Sequence, residues 1–428
     1  RFNVTLRAII EANHIEDPNL IQADQRLIIP GISLPLAPTS APQPGLTQRT
    51  PLGGAGTSHL EGTSRPGDTP SLPGALLSPI PWPNDAIRGI YVSYFAIGQQ
   101  EYRRHIIDLL TKTEINALVI DVKGDYGLVS YPTGVALAHD IGAAQPTAHD
   151  FEELMDFFKA NGVYTIARIV TFKDDPFANA HPEQAAQREG GGLWHSREGL
   201  AWTDPFAHAV WEYNADLAEE AARRGFDEIQ FDYVRFPTQS QEGTPYFSQS
   251  LSRESRVAAI SGFLSYVRGR LVSLGVSVAA DVFGYACWRK DDTLIGQDIG
   301  RMAQYLDVLC PMLYPSTFQG GIPGYKYAIA HPYETVYESM KRAVHQVEAL
   351  GCRVRPWIQD FPDYAFDKRA YGAAEIRAQM RGSFDGGGVG YMAWDPRIKY
   401  TTEAYFQGSI RDFGRTGGSG GEFPPNPT

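Results

Sequence analysis

Glu228-Ile-Gln-Phe-Asp-Tyr-Val-Arg-Phe-Pro237 reads as an apolar strand that carries Asp232 and Arg235 near its C-terminal end. A buried carboxylate loses roughly several kcal/mol of solvation unless it is paired or used. The stretch is the fourth of eight strand-like segments, which are Arg88–Ile97, Ala117–Lys123, Tyr164–Phe172, Glu228–Phe236, Val276–Phe283, Leu306–Tyr314, Val354–Phe361 and Val389–Trp394. Helical patterns lie between them, for example Phe151–Ala160, His208–Arg224, Arg253–Ser273 and Glu334–Leu350. Near-continuous apolar strands separated by helices imply a parallel sheet covered on both faces. Eight such units in roughly 320 residues predict an α/β fold, a (β/α)8 TIM-type barrel with some enlarged loops. A doubly wound sheet is the alternative. It would carry a Gly-rich phosphate turn after its first strand, and Ser93-Tyr-Phe-Ala-Ile-Gly98 has none.

Outward from the barrel, composition divides the chain. A small unit at 1–31 holds a helical stretch, Val4–Asn13, with Leu6, Ile9 and Ile10 at helical spacing, then a turn at Asp17-Pro-Asn-Leu20 and a short strand, Arg26-Leu-Ile-Ile-Pro30. Residues 32–83 are rich in Pro, Gly, Ser and Thr without periodic apolar positions, which predicts a flexible tether, as does the tail at 415–428. The barrel is expected over 84–414. With 43% hydrophobic and 20% charged residues, the 428-residue chain has ample core for such a domain. A net charge of −11 argues against nucleic-acid or anionic-membrane partners, which reward clustered Lys and Arg. No apolar run approaches the roughly 18 residues of a transmembrane segment. Cys287, Cys310 and Cys352 are widely spaced and lack the pattern of a disulfide framework or zinc site; Cys310, in an apolar run, reads as a core residue.

The expected strand ends are rich in polar and aromatic residues. Asp121 and Lys123 end the second strand and Arg168 lies on the third; Asp232, Tyr233 and Arg235 end the fourth and Asp281 the fifth. Tyr314, Gln359, and Trp394 with Asp395 close the sixth, seventh and eighth. Carboxylates, a few cations and aromatic platforms around one rim suit a sugar site: pyranose faces stack on Trp and Tyr, and two carboxyls flank the bond to be broken. Asp232 is the first candidate for a catalytic carboxylate, held ionised by Arg235 or by Arg168. Asp281, among apolar neighbours, is the candidate acid. Asp121, Lys123, Arg168, Tyr233, Arg235, Tyr314, Gln359, Trp394 and Asp395 are candidate substrate contacts. Asp121 and Lys123 equally suit a structural ion pair, because strand alternation puts both on one face. The long aromatic loop Gly192–Asp204 is a candidate wall of the cleft, with His195 as an ordinary turn histidine. No HExxH, clustered His or Gly-Lys-Ser/Thr motif is present, so no metal or cofactor is expected.

Several of these stretches also carry a family resemblance. Ile120-Asp-Val-Lys123, Ile166-Ala-Arg-Ile169, Gly225–Pro237, Asp281-Val-Phe-Gly284, Gly296-Gln-Asp298, Pro311–Ser316, Arg355–Phe361 and Ala378-Gln379 run in order through the barrel portion. Together they resemble a bacterial family of glycosyl hydrolase domains long catalogued as a domain of unknown function. The resemblance implies a (β/α)8 barrel related to glycoside hydrolases, with the fourth-strand catalytic Asp at Asp232. The family pattern ends its last strand with Trp-Asn, where this chain has Trp394-Asp395. The N-terminal unit resembles the second half of a LysM repeat, a module that binds N-acetylglucosamine glycans, without the repeat's usual opening strand and Gly-Asp-Thr-Leu.

The leading expectation is therefore a glycoside hydrolase acting on a cell-envelope or extracellular polysaccharide, secreted or envelope-associated, with no leader visible in this stretch. Two readings compete. A catalytically silent glycan-binding barrel would show saccharide affinity without turnover. A non-glycosidic barrel enzyme, an isomerase or aldolase, would want a phosphate loop, for which Gly386-Gly-Gly388 is the candidate, or a Schiff-base lysine, for which Lys123 is.

Overall fold

The computed structural model describes Pro83 and residues 85–406. The expected units at 1–31 and 415–428, and the tether apart from Pro83, lie outside the described residues. The strands are β1 (Ile87–Val92), β2 (Ala117–Lys123), β3 (Tyr164–Val170), β4 (Glu228–Asp232), β5 (Ser277–Phe283), β6 (Val308–Met312), β7 in two pieces (Arg353–Val354 and Trp357–Gln359) and β8 (Gly390–Trp394). Each pairs in parallel with the next, and β8 pairs with β1, so eight strands close a barrel as the periodicity predicts. Gly390, at φ +136°, makes the closure possible: a Cβ there would lie 1.9 Å from the Ile87 carbonyl oxygen on the neighbouring strand.

Helices cover the outside: α1 (Gln100–Lys112), α2 (Phe151–Ala160), α3 (His208–Arg223), α4 (Arg253–Leu271), α5 (Ile299–Met302), α6 (Pro332–Val347) and α7 (Ala373–Asp385). In α2 the buried residues are Phe151, Leu154, Met155 and Phe158, the one-sided stripe that makes a helix settle on a sheet. Serine caps start α4, where Ser252 and Ser255 bond reciprocally to each other's backbone N–H.

Three strand boundaries are shorter than the apolar runs suggest, each for a local reason. After β1 the chain turns into a short helix, Tyr94–Ile97, because Ser93 Oγ accepts from Ala96 N at 3.2 Å. β4 stops at Asp232 because Tyr233 adopts φ +50°. Pro356 divides β7 by removing a donor, while Arg355 N still donates to Leu309 O at 3.0 Å and Pro356 O accepts from Met392 N at 2.9 Å.

The interior of the barrel is polar along β4. Glu228, Gln230 and Asp232 alternate inward, while Phe231 points out and meets Phe263 of α4 edge-on at 5.1 Å. Glu228 pairs with Arg355 at the joint of β7, both sealed from solvent. Gln230 Nε2 donates across the barrel to Cys310 Sγ and Met392 Sδ, each at 3.3 Å. Cys310 is thus a core residue, and all three cysteines are buried and free.

Candidate active site

Asp232 ends the β4 column at the C-terminal mouth, where the open positions of a barrel lie. Arg168, inward from β3, donates to Asp232 Oδ2 from Nε at 3.0 Å and from Nη2 at 2.6 Å. The other carboxylate oxygen accepts the Tyr233 N–H at 2.6 Å, a bond created by the left-handed turn at that residue. Of the two cations the sequence offered as its partner, Arg168 is the one that reaches it.

Arg168 is also shared with two more carboxylates. Nη1 donates to Asp121 Oδ1 at 2.7 Å and Nη2 to Asp125 Oδ1 at 3.1 Å, and the guanidinium lies 5.3 Å from the Trp394 ring centre and 5.5 Å from that of Tyr91. Charges arrayed around it raise the Arg168 pKa well above its ordinary value despite its burial. Asp121 accepts additionally from Tyr91 OH at 2.7 Å and Tyr94 N at 3.1 Å, so its oxygens are already engaged. It is a positioning residue for Arg168.

Asp281 sits on the neighbouring strand, β5, and is only 1% exposed against 7% for Asp232. Its Oδ1 accepts one bond, from Trp357 Nε1 of β7 at 2.8 Å. Burial raises its pKa well above the carboxylate range, the negative charge of Asp232 raises it further, and the Trp357 N–H acts in the opposite direction. Tyr314, beyond the end of β6, is buried near both aspartates, and desolvation followed by their charges holds its hydroxyl protonated.

Other expected contacts are placed elsewhere. Lys123 leaves the barrel interior because β2 shifts register between Asp121 and Lys123, breaking the alternation that would keep them on one face. It is fully buried, paired with Asp174 and lying 4.9 Å from the Tyr213 ring centre of α3, so the Asp121–Lys123 ion pair does not form. Gln359 is consumed by scaffold bonds to Ser316 N (3.0 Å), Ser316 Oγ (2.9 Å) and Phe361 O (3.0 Å). Asp395 is buried and caps the following turn through Arg397 N at 2.6 Å. Trp394 is half-buried at the mouth, but one ring face is covered by Tyr91, stacked at 3.9 Å and 19°. Arg235 is turned away from Asp232 by the conformation of Tyr233 and lies 4.8 Å from the Trp202 and Phe283 ring centres and 5.3 Å from that of Tyr233. Burial pushes the Tyr233 hydroxyl up to about 12.

Tyr91, Asp125 and Trp357 belong to the site although the strand-end reading gave them no task. Tyr91 and Trp357 sit at alternating inward positions of their strands, and Asp125 follows the Gly124 turn; these were the available signals. Phe95 and Tyr126, more than half exposed, form an edge-to-face pair at 6.3 Å just outside Asp125. The loop Gly192–Asp204 does form a wall, supplying Trp194, Ser196, Arg197, Glu198 and Trp202 to a cavity of about 160 Å³ shared with Tyr233 and Arg235. His195 bonds Glu242 through its backbone N–H at 2.8 Å, as a turn residue does. Gly386-Gly-Gly388 makes the turn from α7 into β8, before the last strand and away from the mouth.

A closed parallel barrel whose mouth gathers three aspartates around one arginine, with Asp281 beside them, defines the class as a (β/α)8 barrel with an acidic site. Residues 89–400 match the family described as "Putative glycosyl hydrolase domain", and the chain belongs to that family. Residues 1–30 match the LysM domain. No curated protein matches the chain. Among solved structures it is 36% identical to a hypothetical protein from Ruminiclostridium thermocellum, covering 45% of this chain and 97% of that one with a TM-score of 0.40. It also resembles the glycoside hydrolase domain of PgaB (BpsB) from Bordetella bronchiseptica, at 15% identity over 76% of this chain and all of that one, with a TM-score of 0.53. At that identity the likeness is one of fold. Among the described residues no helix is long and apolar enough to cross a membrane, and no three His, Cys, Asp or Glu gather as a metal site would require.

Proposed function

We propose that the protein hydrolyses glycosidic bonds of a cell-envelope or extracellular polysaccharide, with Asp232 and Asp281 as its catalytic pair. The observation that carries this reading is the contrast between two carboxyls on adjacent strand ends. Asp232 is an ion-paired carboxylate, fixed on one oxygen by Arg168 and on the other by the Tyr233 N–H. Asp281 is desolvated beside the Asp232 charge, and the two together push its pKa well above the carboxylate range. Two neighbouring carboxyls, one ion-paired and one desolvated, suit the acid–base cleavage of an acetal.

In this reading Asp281 donates a proton to the leaving glycosidic oxygen while Asp232 attacks the anomeric carbon or takes a proton from the attacking water. Arg168 holds Asp232 in place and takes no part in the proton transfers. The exposed rings of Phe95 and Tyr126 offer apolar faces for sugar units approaching the mouth. Membership of the glycosyl hydrolase domain family supports the reaction class, and the LysM match at residues 1–30 supports a glycan-rich setting. Lys123 is sealed from solvent against Asp174 and Tyr213, out of reach of a substrate at the mouth, which counts against the aldolase alternative.

The test is reducing-end release from a panel of bacterial exopolysaccharides and peptidoglycan, with Asp232→Asn as the control. Release by the wild type that the variant loses supports the pair. Saccharide binding with no release by either protein leaves a glycan-binding barrel. Proton NMR of the first-formed anomer then distinguishes retention from inversion.

A further inference from the structure

The cavity of about 160 Å³ beside Tyr233 is bordered by a buried N–H donor that has no acceptor among the described residues. Arg235 donates only from Nη1 to the carbonyl of Phe236, at 3.0 Å, and has no carboxylate partner among the described residues. Its guanidinium is held instead among the rings of Trp202, Tyr233 and Phe283. Trp202, 2% exposed and lining the same cavity, has an indole N–H with no acceptor. Two further cations line it: Lys173, which pairs with Glu198, and the exposed Arg197. A half-buried guanidinium with no hydrogen-bonded carboxylate among the described residues, and one unpaired N–H, therefore border a small space, walled by aromatic rings, beside the carboxylate proposed to attack the sugar. Leaving the buried Trp202 N–H without an acceptor is costly, and a guanidinium fork fits a carboxylate with two parallel bonds.

We infer that this cavity is a subsite for a carboxylate-bearing sugar unit, so that the polysaccharide cut here is an acidic one, with uronic or lactyl-type carboxylates. The inference rests on the hydrolase reading for its setting but not for its test. Asp121, Asp125 and Asp232 crowd the Arg168 side of the mouth, whereas Arg235, Lys173 and Arg197 line the cavity and favour an anionic sugar there. Burial lowers the Arg235 pKa, and an incoming carboxylate offsets that desolvation.

Full-length Asp232→Asn protein, which cannot turn over substrate on this account, is titrated by NMR with sodium D-glucuronate against D-glucose and with N-acetylmuramate against N-acetylglucosamine. At least one acid is expected to bind about tenfold more tightly than its neutral counterpart, a preference that high salt weakens. Arg235→Gln should abolish the preference by bringing the acid's affinity down to that of its neutral counterpart, while Arg235→Lys, which keeps the charge but not the fork, should retain part of it. Equal response to acid and neutral sugar in both pairs, or a preference that persists in Arg235→Gln, would overturn the inference. Preference without reducing-end release by the wild type would instead remove the hydrolase reading and leave the subsite standing.

Discussion

The two ends of β4 hold the same kind of residue in opposite circumstances. At the base, Glu228 and Arg355 form an ion pair with no solvent access on either side, and Tyr164 OH adds a bond to the same carboxylate at 3.2 Å. At the mouth, four residues along the strand, Asp232 retains some exposure and shares its arginine with Asp121 and Asp125, while Asp281 beside it has one N–H donor and no cation. The base pair is closed, so its charge serves to fill the barrel. The mouth is left unbalanced, with one carboxyl ion-paired to Arg168 and its neighbour buried with its pKa raised. Such imbalance is what a fold tolerates where a reaction needs it.

Isosteric amides break that comparison most sharply. Asp232→Asn should lower kcat on the polysaccharide by about 10⁴-fold, the upper end of acid–base contributions, with little change in melting temperature because Arg168 keeps Asp121 and Asp125. Asp281→Asn should lower kcat by about 10²–10³-fold, yet melt no lower than the wild type, since an amide oxygen still accepts the Trp357 N–H and no buried acid remains to ionise. Glu228→Gln should do the reverse. It leaves the Arg355 guanidinium buried without its counter-charge and should cost about 3 kcal/mol in denaturant unfolding, with kcat of the folded protein nearly unchanged.

A smaller effect comes from Trp357→Phe. The indole N–H favours the charged form of Asp281, so its removal should move the alkaline limb of the kcat/KM profile to higher pH. The sign for stability follows from the same raised value. Between the ordinary carboxylate pKa and the Asp281 pKa, the folded protein holds a proton that the unfolded chain has released. The contribution of this group is therefore full below that window and declines as pH rises through it.

Much of the barrel was legible because parallel strands buried on both faces leave near-continuous apolar runs, and all eight appear where those runs lie. Asp232 stood out for the same reason: a carboxylate in such a run is conspicuous. What alternation could not reveal is where it breaks. The register shift after Asp121 carries Lys123 out to Asp174, and the left-handed turn at Tyr233, a residue type that does not announce such a turn, separates Arg235 from Asp232. Gln359 and Asp395 show another limit, because strand-end polar residues also satisfy the backbone of the turns that follow. Trp357 matters through one indole N–H aimed at a carboxyl 76 positions earlier in the chain, a pairing that no local pattern encodes.

The coupling of the two aspartates can be measured without a substrate. Carboxyl ¹³C chemical shifts of the full chain, followed through a pH titration of wild type and Asp232→Asn, report the ionisation of Asp281 directly. The predicted result is a titration of Asp281 well above the ordinary carboxylate range in the wild type, moving downward when the Asp232 charge is removed. An Asp281 that ionises in the ordinary range in both proteins would contradict its assignment as the acid of the pair.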